Sequence, residues 1–137
     1  MKKDDSELFE KMHIAGKLAA RTLDELTPFV KPGVTTNFLD RICYEYIKDH
    51  GGNSAPLYYR GFPKSCCTST NHTVCHGIPS EKILEDGDIM NVDVTAFVDE
   101  HHGDTGRMFC IGDVSVKSKN LISATYESMM KAISIIK

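Results

Sequence analysis

Residues 90–98 read Met90-Asn91-Val92-Asp93-Val94-Thr95-Ala96-Phe97-Val98, and after Asp99-Glu100 a second run extends from His101 to Ile111. Met90, Val92, Val94, Ala96 and Val98 fall on one side of the first run, and Asn91, Asp93, Thr95 and Phe97 on the other. That period of two belongs to a strand with one apolar face. With Asp99-Glu100 as a two-residue loop, the two runs form an antiparallel hairpin over about 88–111. Val98 then faces His101, Asp104 lies opposite Thr95, and Asp93 lies opposite Gly106. Asp93 and Asp104 become diagonal neighbours on the polar face, about 7–8 Å apart at the backbone and closer at the side chains. Two carboxylates so placed repel each other unless a cation lies between them or one takes a proton. A divalent metal, or two, resolves the conflict, and the small Gly106 leaves room for it. Against this stands the plainer reading that both aspartates face water, as polar residues of antiparallel sheets commonly do. The pairing also depends on register, because a slip of one residue moves Asp104 to the other face.

Helices flank the hairpin. Met12, Ala15, Ala19, Leu23 and Leu26 recur at helical spacing and predict a helix over about 6–27, ended at Thr27-Pro28. Leu39, Ile42, Cys43, Tyr46 and Ile47 predict a second over about 35–50, capped by Thr35 or Thr36 and stopped at Gly51-Gly52. Both stripes are core faces. Residues 54–59 and 66–69 read as short strands joined by a Gly61-Phe62-Pro63 turn, and Val74 to Ile78 as a short extended piece. Lys82 to Gly87 is a loop. A third helix over 118–136 carries Leu121, Thr125, Met129, Ala132 and Ile136. Its pattern reaches Lys137 with no glycine, asparagine or proline to stop it, so the sequence is expected to be a truncated piece.

The chain of 137 residues suits one domain with a real core. A formal net charge of −3, with both signs interspersed, gives no basic face for nucleic acid. No apolar run approaches the ~20 residues of a membrane span, and the charged Met1 to Glu10 lacks a signal peptide's apolar stretch. A cytoplasmic protein is expected. The five cysteines, an odd number, match neither a disulfide framework nor a paired zinc site. His72, Cys75 and His76 form a local cluster but have no fourth ligand at finger-like spacing. His76, beside a glycine and near a proline, is by spacing alone a loop histidine, a general acid, a metal ligand or a hydrogen-bond donor to substrate.

Taken together, Cys75-His76-Gly77-Ile78-Pro79, Asp86-Gly87-Asp88-Ile89, Asn91-Val92-Asp93-Val94-Thr95 and His102-Gly103-Asp104-Thr105 resemble the signature of type I methionine aminopeptidases. Gly61 to Ser65, Asn71 and the opening helix, with Met12, Ala15-Gly16 and Leu18-Ala19-Ala20, also fit. The resemblance runs from about Glu10 to the last residue. It implies an α/β pita-bread fold, an antiparallel sheet with helices packed on one face, of which residues 1–137 would be the N-terminal half of the catalytic domain. It implies a metalloaminopeptidase that removes the initiator methionine from nascent polypeptides. Two divalent ions would be held by two aspartates, one histidine and two glutamates; cobalt, manganese, iron and zinc are not distinguished. By motif, Asp93 and Asp104 would be metal ligands, with Asp104 bridging. His76 would be the catalytic histidine that contacts substrate near the scissile amide, and Tyr59, Phe62 and Cys67 would line the methionine pocket.

The sequence departs from the family pattern in places. Pro56 stands where a pocket cysteine is usual, Phe62 replaces a tyrosine, and Glu100 replaces the turn glycine. The remaining metal-binding histidine, both glutamates and a second substrate histidine belong to the family's C-terminal half. Only Asp113 and Glu127 are acidic after Asp104, and neither lies in a matching motif. The isolated chain is therefore expected to be inactive or incomplete, with a complementary C-terminal half as a partner. The alternatives are a non-catalytic peptide- or protein-binding module and a decayed remnant.

Overall fold

The computed structural model describes residues 5–136. The order is α1 (Ser6–Leu26), a 3-10 turn (Thr27–Phe29), α2 (Thr36–Asp49), β1 (Asn53–Ser54), a second 3-10 turn (Tyr59–Gly61), β2 (Cys67–Thr70), β3 (Ile89–Val98), β4 (His101–Cys110) and α3 (Val116–Ser134). Pro28 enters the first 3-10 turn where its missing N–H costs nothing. Thr35 caps α2, its side chain accepting from the Phe38 N–H at 3.2 Å, and Ser115 caps α3 in the same way through Ser118.

β3 is the centre of the sheet. β4 pairs along one side of it, and β1 and β2 share the other, all antiparallel. The β3–β4 register is the one read from the sequence: Val98 opposite His101, Thr95 opposite Asp104, Asp93 opposite Gly106. Asp99 and Glu100 take φ values of 46° and 66°. Positive φ at both loop positions is the type I′ arrangement, which matches the twist of the flanking strands. Here it is adopted without glycine.

α1 and α2 cover one face of the sheet. Met90, Val92, Val94 and Ala96 of β3 are buried there with Ala19, Leu23 and Leu26 of α1 and Leu39, Cys43 and Ile47 of α2. The approach of α1 is closest at Gly103, where a Cβ would lie 2.1 Å from the Ala15 carbonyl carbon and the Gly16 nitrogen. Further along, Arg107 reaches Asp24 at 2.8 Å and Thr27 at 3.1 Å. Met12, expected in the buried stripe, is 47% exposed. Ala15 already meets β4 near the hairpin turn, so Met12, one turn earlier, overhangs the end of the sheet.

Three further expectations are corrected. The strand expected over 54–59 is confined to Asn53–Ser54; beyond it the chain folds into tight turns with left-handed backbone at Tyr58, Arg60 and Gly61. Val74 to Ile78 is not extended throughout, since His76 has φ of 52°. α3 begins at Val116 and ends at Ser134, so the expected extension over Ile135 and Ile136 is not helical; Lys137 falls outside the described residues. None of its described side chains is buried, and Leu121, Tyr126, Met129, Met130 and Ile133 are exposed.

Candidate active site

The face of the sheet away from α1 and α2 carries the polar side chains of the alternating strand. Cys67, Asp93 and Gly106 form one row across β2, β3 and β4. The next row pairs Thr95 with Asp104, and the Ala55 N–H donates to the Thr95 carbonyl at 3.0 Å. One step further, the His102 ring packs against Phe97 with centroids 4.7 Å apart. These rows floor a cavity of ≈ 900 Å³ whose lining includes Asp93, Asp104, His76, Cys67, Tyr59 and Phe62. All six residues singled out from the sequence therefore open into one space.

The electrostatics of that space are those of crowded acids. Asp93 is held above the usual carboxylate range, first by burial, then by the negative charge of Asp104 and the hydrogen bond shared with it; the His76 imidazole pulls the other way. Burial and Asp104 both disfavour the charged form of Asp93. The Cys67 thiol is pushed up to about 11 by burial and by Asp93, Cys75 and Asp104. It stays neutral at physiological pH.

His76 is placed by its neighbour. The Gly77 N–H donates to the Ser69 hydroxyl at 3.1 Å, and its carbonyl accepts from the Thr68 N–H at 2.8 Å. A Cβ on Gly77 would sit 2.2 Å from the Thr68 carbonyl oxygen, so only glycine can dock here. This docking and the left-handed backbone at His76 accompany a ring that lines the same cavity as Asp93. Asn71 ties the preceding loop to the start of β3, donating to Asp88 at 2.7 Å and accepting from the Ile89 N–H at 3.1 Å.

Sequence reasoning gave no role to Thr95, His102, Arg60 or Ile78, which also line the cavity. The signal for the first two was present: Thr95 shares the face of Asp93, and His102 lies two residues before Asp104 on the same strand. Arg60 and Ile78 come from segments with no periodicity. Of the His72-Cys75-His76 cluster, only His76 lines the cavity. Among the described residues no group of three or more histidine, cysteine, aspartate or glutamate side chains is set to hold a metal ion. Asp93 and Asp104 still offer oxygen donors from two strands toward one space, a donor set that suits a divalent cation and fits part of a coordination shell.

Residues 10–137 match metallopeptidase family M24. The chain belongs to metallopeptidase family M24. Among M24 members it is 56% identical over 129 residues to the methionine aminopeptidase of Rickettsia prowazekii, covering 94% of this chain and 50% of that protein. It is 50% identical over 131 residues to methionine aminopeptidase 2 of Mycobacterium tuberculosis, covering 96% of this chain and 46% of that protein. The crystal structure of the Rickettsia prowazekii enzyme superposes with a TM-score of 0.91 over 92% of this chain and 51% of that one, at 56% identity. The fold is thus the pita-bread fold of these M24 hydrolases. The chain spans about half the length of the curated relatives it matches. No helix among the described residues is long and apolar enough to cross a membrane.

Proposed function

We propose that residues 1–137 form the N-terminal half of a methionine aminopeptidase catalytic domain, whose complete site removes the initiator methionine from nascent polypeptides in the cytoplasm. One observation carries this reading: Asp93 and Asp104 open from adjacent strands into the same cavity as His76 and the Tyr59–Phe62 wall. Asp93 and Asp104 would hold the divalent ions. Such ions, when bound, supply Lewis acidity toward the scissile carbonyl and a counter-charge for the two carboxylates. His76 contacts the substrate beside the scissile amide, where a ring N–H stabilises developing negative charge or protonates the departing nitrogen. The aromatic wall and the neutral Cys67 thiol form a slot for a flexible thioether side chain.

Two carboxylates are fewer donors than a pair of ions needs, so the chain alone is incomplete and inactive in this reading. A complementary C-terminal half would supply the remaining ligands and lie against the open sheet face and α3. A second reading, a non-catalytic peptide-binding module, is favoured by the lack of a three-residue ligand group among the described residues.

Titration calorimetry with manganese or cobalt, paired with hydrolysis of a methionyl peptide, separates the two. Weak divalent uptake that disappears in Asp104→Asn, without turnover, is expected. Two tight ions per chain would show that other residues complete the shell. No divalent uptake together with binding of the peptide would favour the module.

A further inference from the structure

The wall of the cavity belongs to neither β1 nor β2. From Ala55 to Cys66 the chain bonds mainly to itself: the Tyr58 N–H donates to the Phe62 carbonyl at 2.7 Å, and the Phe62 and Tyr59 N–H groups donate to the Tyr59 and Pro56 carbonyls, each at 2.9 Å. Its start is tied to the sheet through Ala55 and Thr95. Its end is held by the burial of Cys66 in the core and by one side chain of α2 that binds the backbone there. Asp40 Oδ1 accepts from the Ser65 N–H at 2.8 Å, the Ser65 hydroxyl at 2.6 Å and the Cys66 N–H at 3.1 Å. The Ser65 hydroxyl also lies 3.0 Å from the Asp40 carbonyl oxygen, and Ser65 is only 2% exposed.

We propose that Asp40 is a positioning residue that sets the width of the side-chain slot, by fixing the Tyr59–Phe62 wall against the Cys67 floor. The inference rests on the reading of the cavity as a methionine slot. A carboxylate oxygen accepting three N–H and O–H hydrogen bonds, with the Cys66 thiol donating at 3.6 Å, is a stiff, charge-assisted anchor. α2 carries Asp40 on a helix whose other face is locked into the core by Leu39, Cys43 and Ile47. If the Asp40 anchor is lost, the self-bonded wall shifts between Ala55 and the buried Cys66, while the core packing stays intact. Asp40 thereby transmits the rigidity of the core to a surface segment that has no strand pairing of its own. Selection for a slender, unbranched side chain over a broad aromatic one requires that rigidity.

The test titrates the full chain, Asp40→Ala and Asp40→Asn with L-methioninamide and L-phenylalaninamide, followed by NMR. The unaltered chain is expected to prefer methioninamide. Asp40→Ala should lose about tenfold in affinity for methioninamide and less than threefold for phenylalaninamide, since small misplacements of a binding wall carry effects of this order. Asp40→Asn keeps the Oδ1 acceptor and should retain the preference. Equal losses for both amides in Asp40→Ala would mark a merely structural residue and overturn the proposal. If Asp40→Ala does not fold, Ser65→Ala should shift the ratio in the same direction, and an unchanged ratio there overturns it. Binding of neither amide by the unaltered chain would sink the slot reading. The clamp is then judged by amide exchange at Tyr59, Gly61 and Phe62: faster exchange in the Asp40 or Ser65 variant supports it, and unchanged exchange overturns it.

Discussion

Replacing Gly103 with alanine adds one methyl group where α1 presses on β4, and it should be among the most damaging single changes in the chain. The new Cβ would lie 2.1 Å from the Ala15 carbonyl carbon, 2.1 Å from the Gly16 nitrogen and 2.3 Å from the Ala15 oxygen. Comfortable carbon contacts begin near 3.5 Å, so the helix and strand must separate by more than about 1 Å. All three obstructing atoms are backbone, and none can rotate away. Overpacking typically costs about 1–3 kcal/mol, and the upper end applies here. At about 0.05–0.15 kcal/mol per residue, a chain of this length has roughly 7–20 kcal/mol of stability to lose. A loss of about 3 kcal/mol lowers the melting temperature by roughly 10 °C. The control lies across the same contact. A Cβ on Gly16 meets nothing within 4 Å, and Gly16 lies inside α1, so Gly16→Ala should gain about 0.5–1 kcal/mol. Thermal and urea melts of both variants decide the matter. A Gly103→Ala protein that melts with the unaltered chain would refute the close approach and the placement of Asp104 that depends on it.

Three further outcomes are expected. Because burial and Asp104 raise the Asp93 pKa in the folded state, stability of the metal-free chain should fall as pH rises from 3.8 through that raised value. Asp93→Asn removes this loss, so in chelator it should melt above the unaltered chain at neutral pH, with the gap closing below pH 3.8; a gap that widens in acid contradicts the assigned cause. When the complementary half is supplied, Asp104→Asn should abolish turnover, whereas His76→Ala should lower turnover at unchanged metal content. Loss of metal from the His76 variant would show that its role is misassigned. With the apolar side chains of α3 exposed and β4 paired to β3 alone among the described strands, size-exclusion chromatography should show self-association and an apolar dye should bind. A monodisperse, high-melting chain that ignores the dye speaks against an open face.

The hairpin was legible because its signal is periodic and its loop is short. Val92, Val94 and Ala96 alternate with Asp93 and Thr95, and a two-residue loop leaves one register that buries the apolar set. The diagonal placement of Asp93 and Asp104 followed from that. The wall of the site was not legible in the same way. Pro56 to Gly61 contains two tyrosines, a residue type favoured in strands, yet Tyr58 and Arg60 adopt left-handed backbone. Nothing in their chemistry announces this, because the conformation is imposed by the bonds that close the turn from Pro56 to Phe62. His76 is similar: its backbone follows from the docking of Gly77 on Thr68, a contact between segments that pattern alone cannot bring together. α3 was legible as a helix, and its apolar side is exposed as expected. Its stripe has helical spacing, but periodicity reports amphipathicity and not what, if anything, covers the apolar side.

The alternation of β3 has a consequence for how such a protein can change over generations. Its even-numbered residues pack the core, and Asp93 between them belongs to the cavity, so the same ten backbone units serve two kinds of selection. An insertion or deletion of one residue within Ile89–Val98 would exchange the two faces at once, burying Asp93 and exposing valines. Drift in this strand is therefore confined to substitutions that preserve its phase, whereas the exposed part of the wall ahead of the Asp40 anchor at Ser65 and Cys66 is under no constraint of phase. Divergence in what the cavity accepts should accumulate in the wall, while the acids on the strand stay in step with the core.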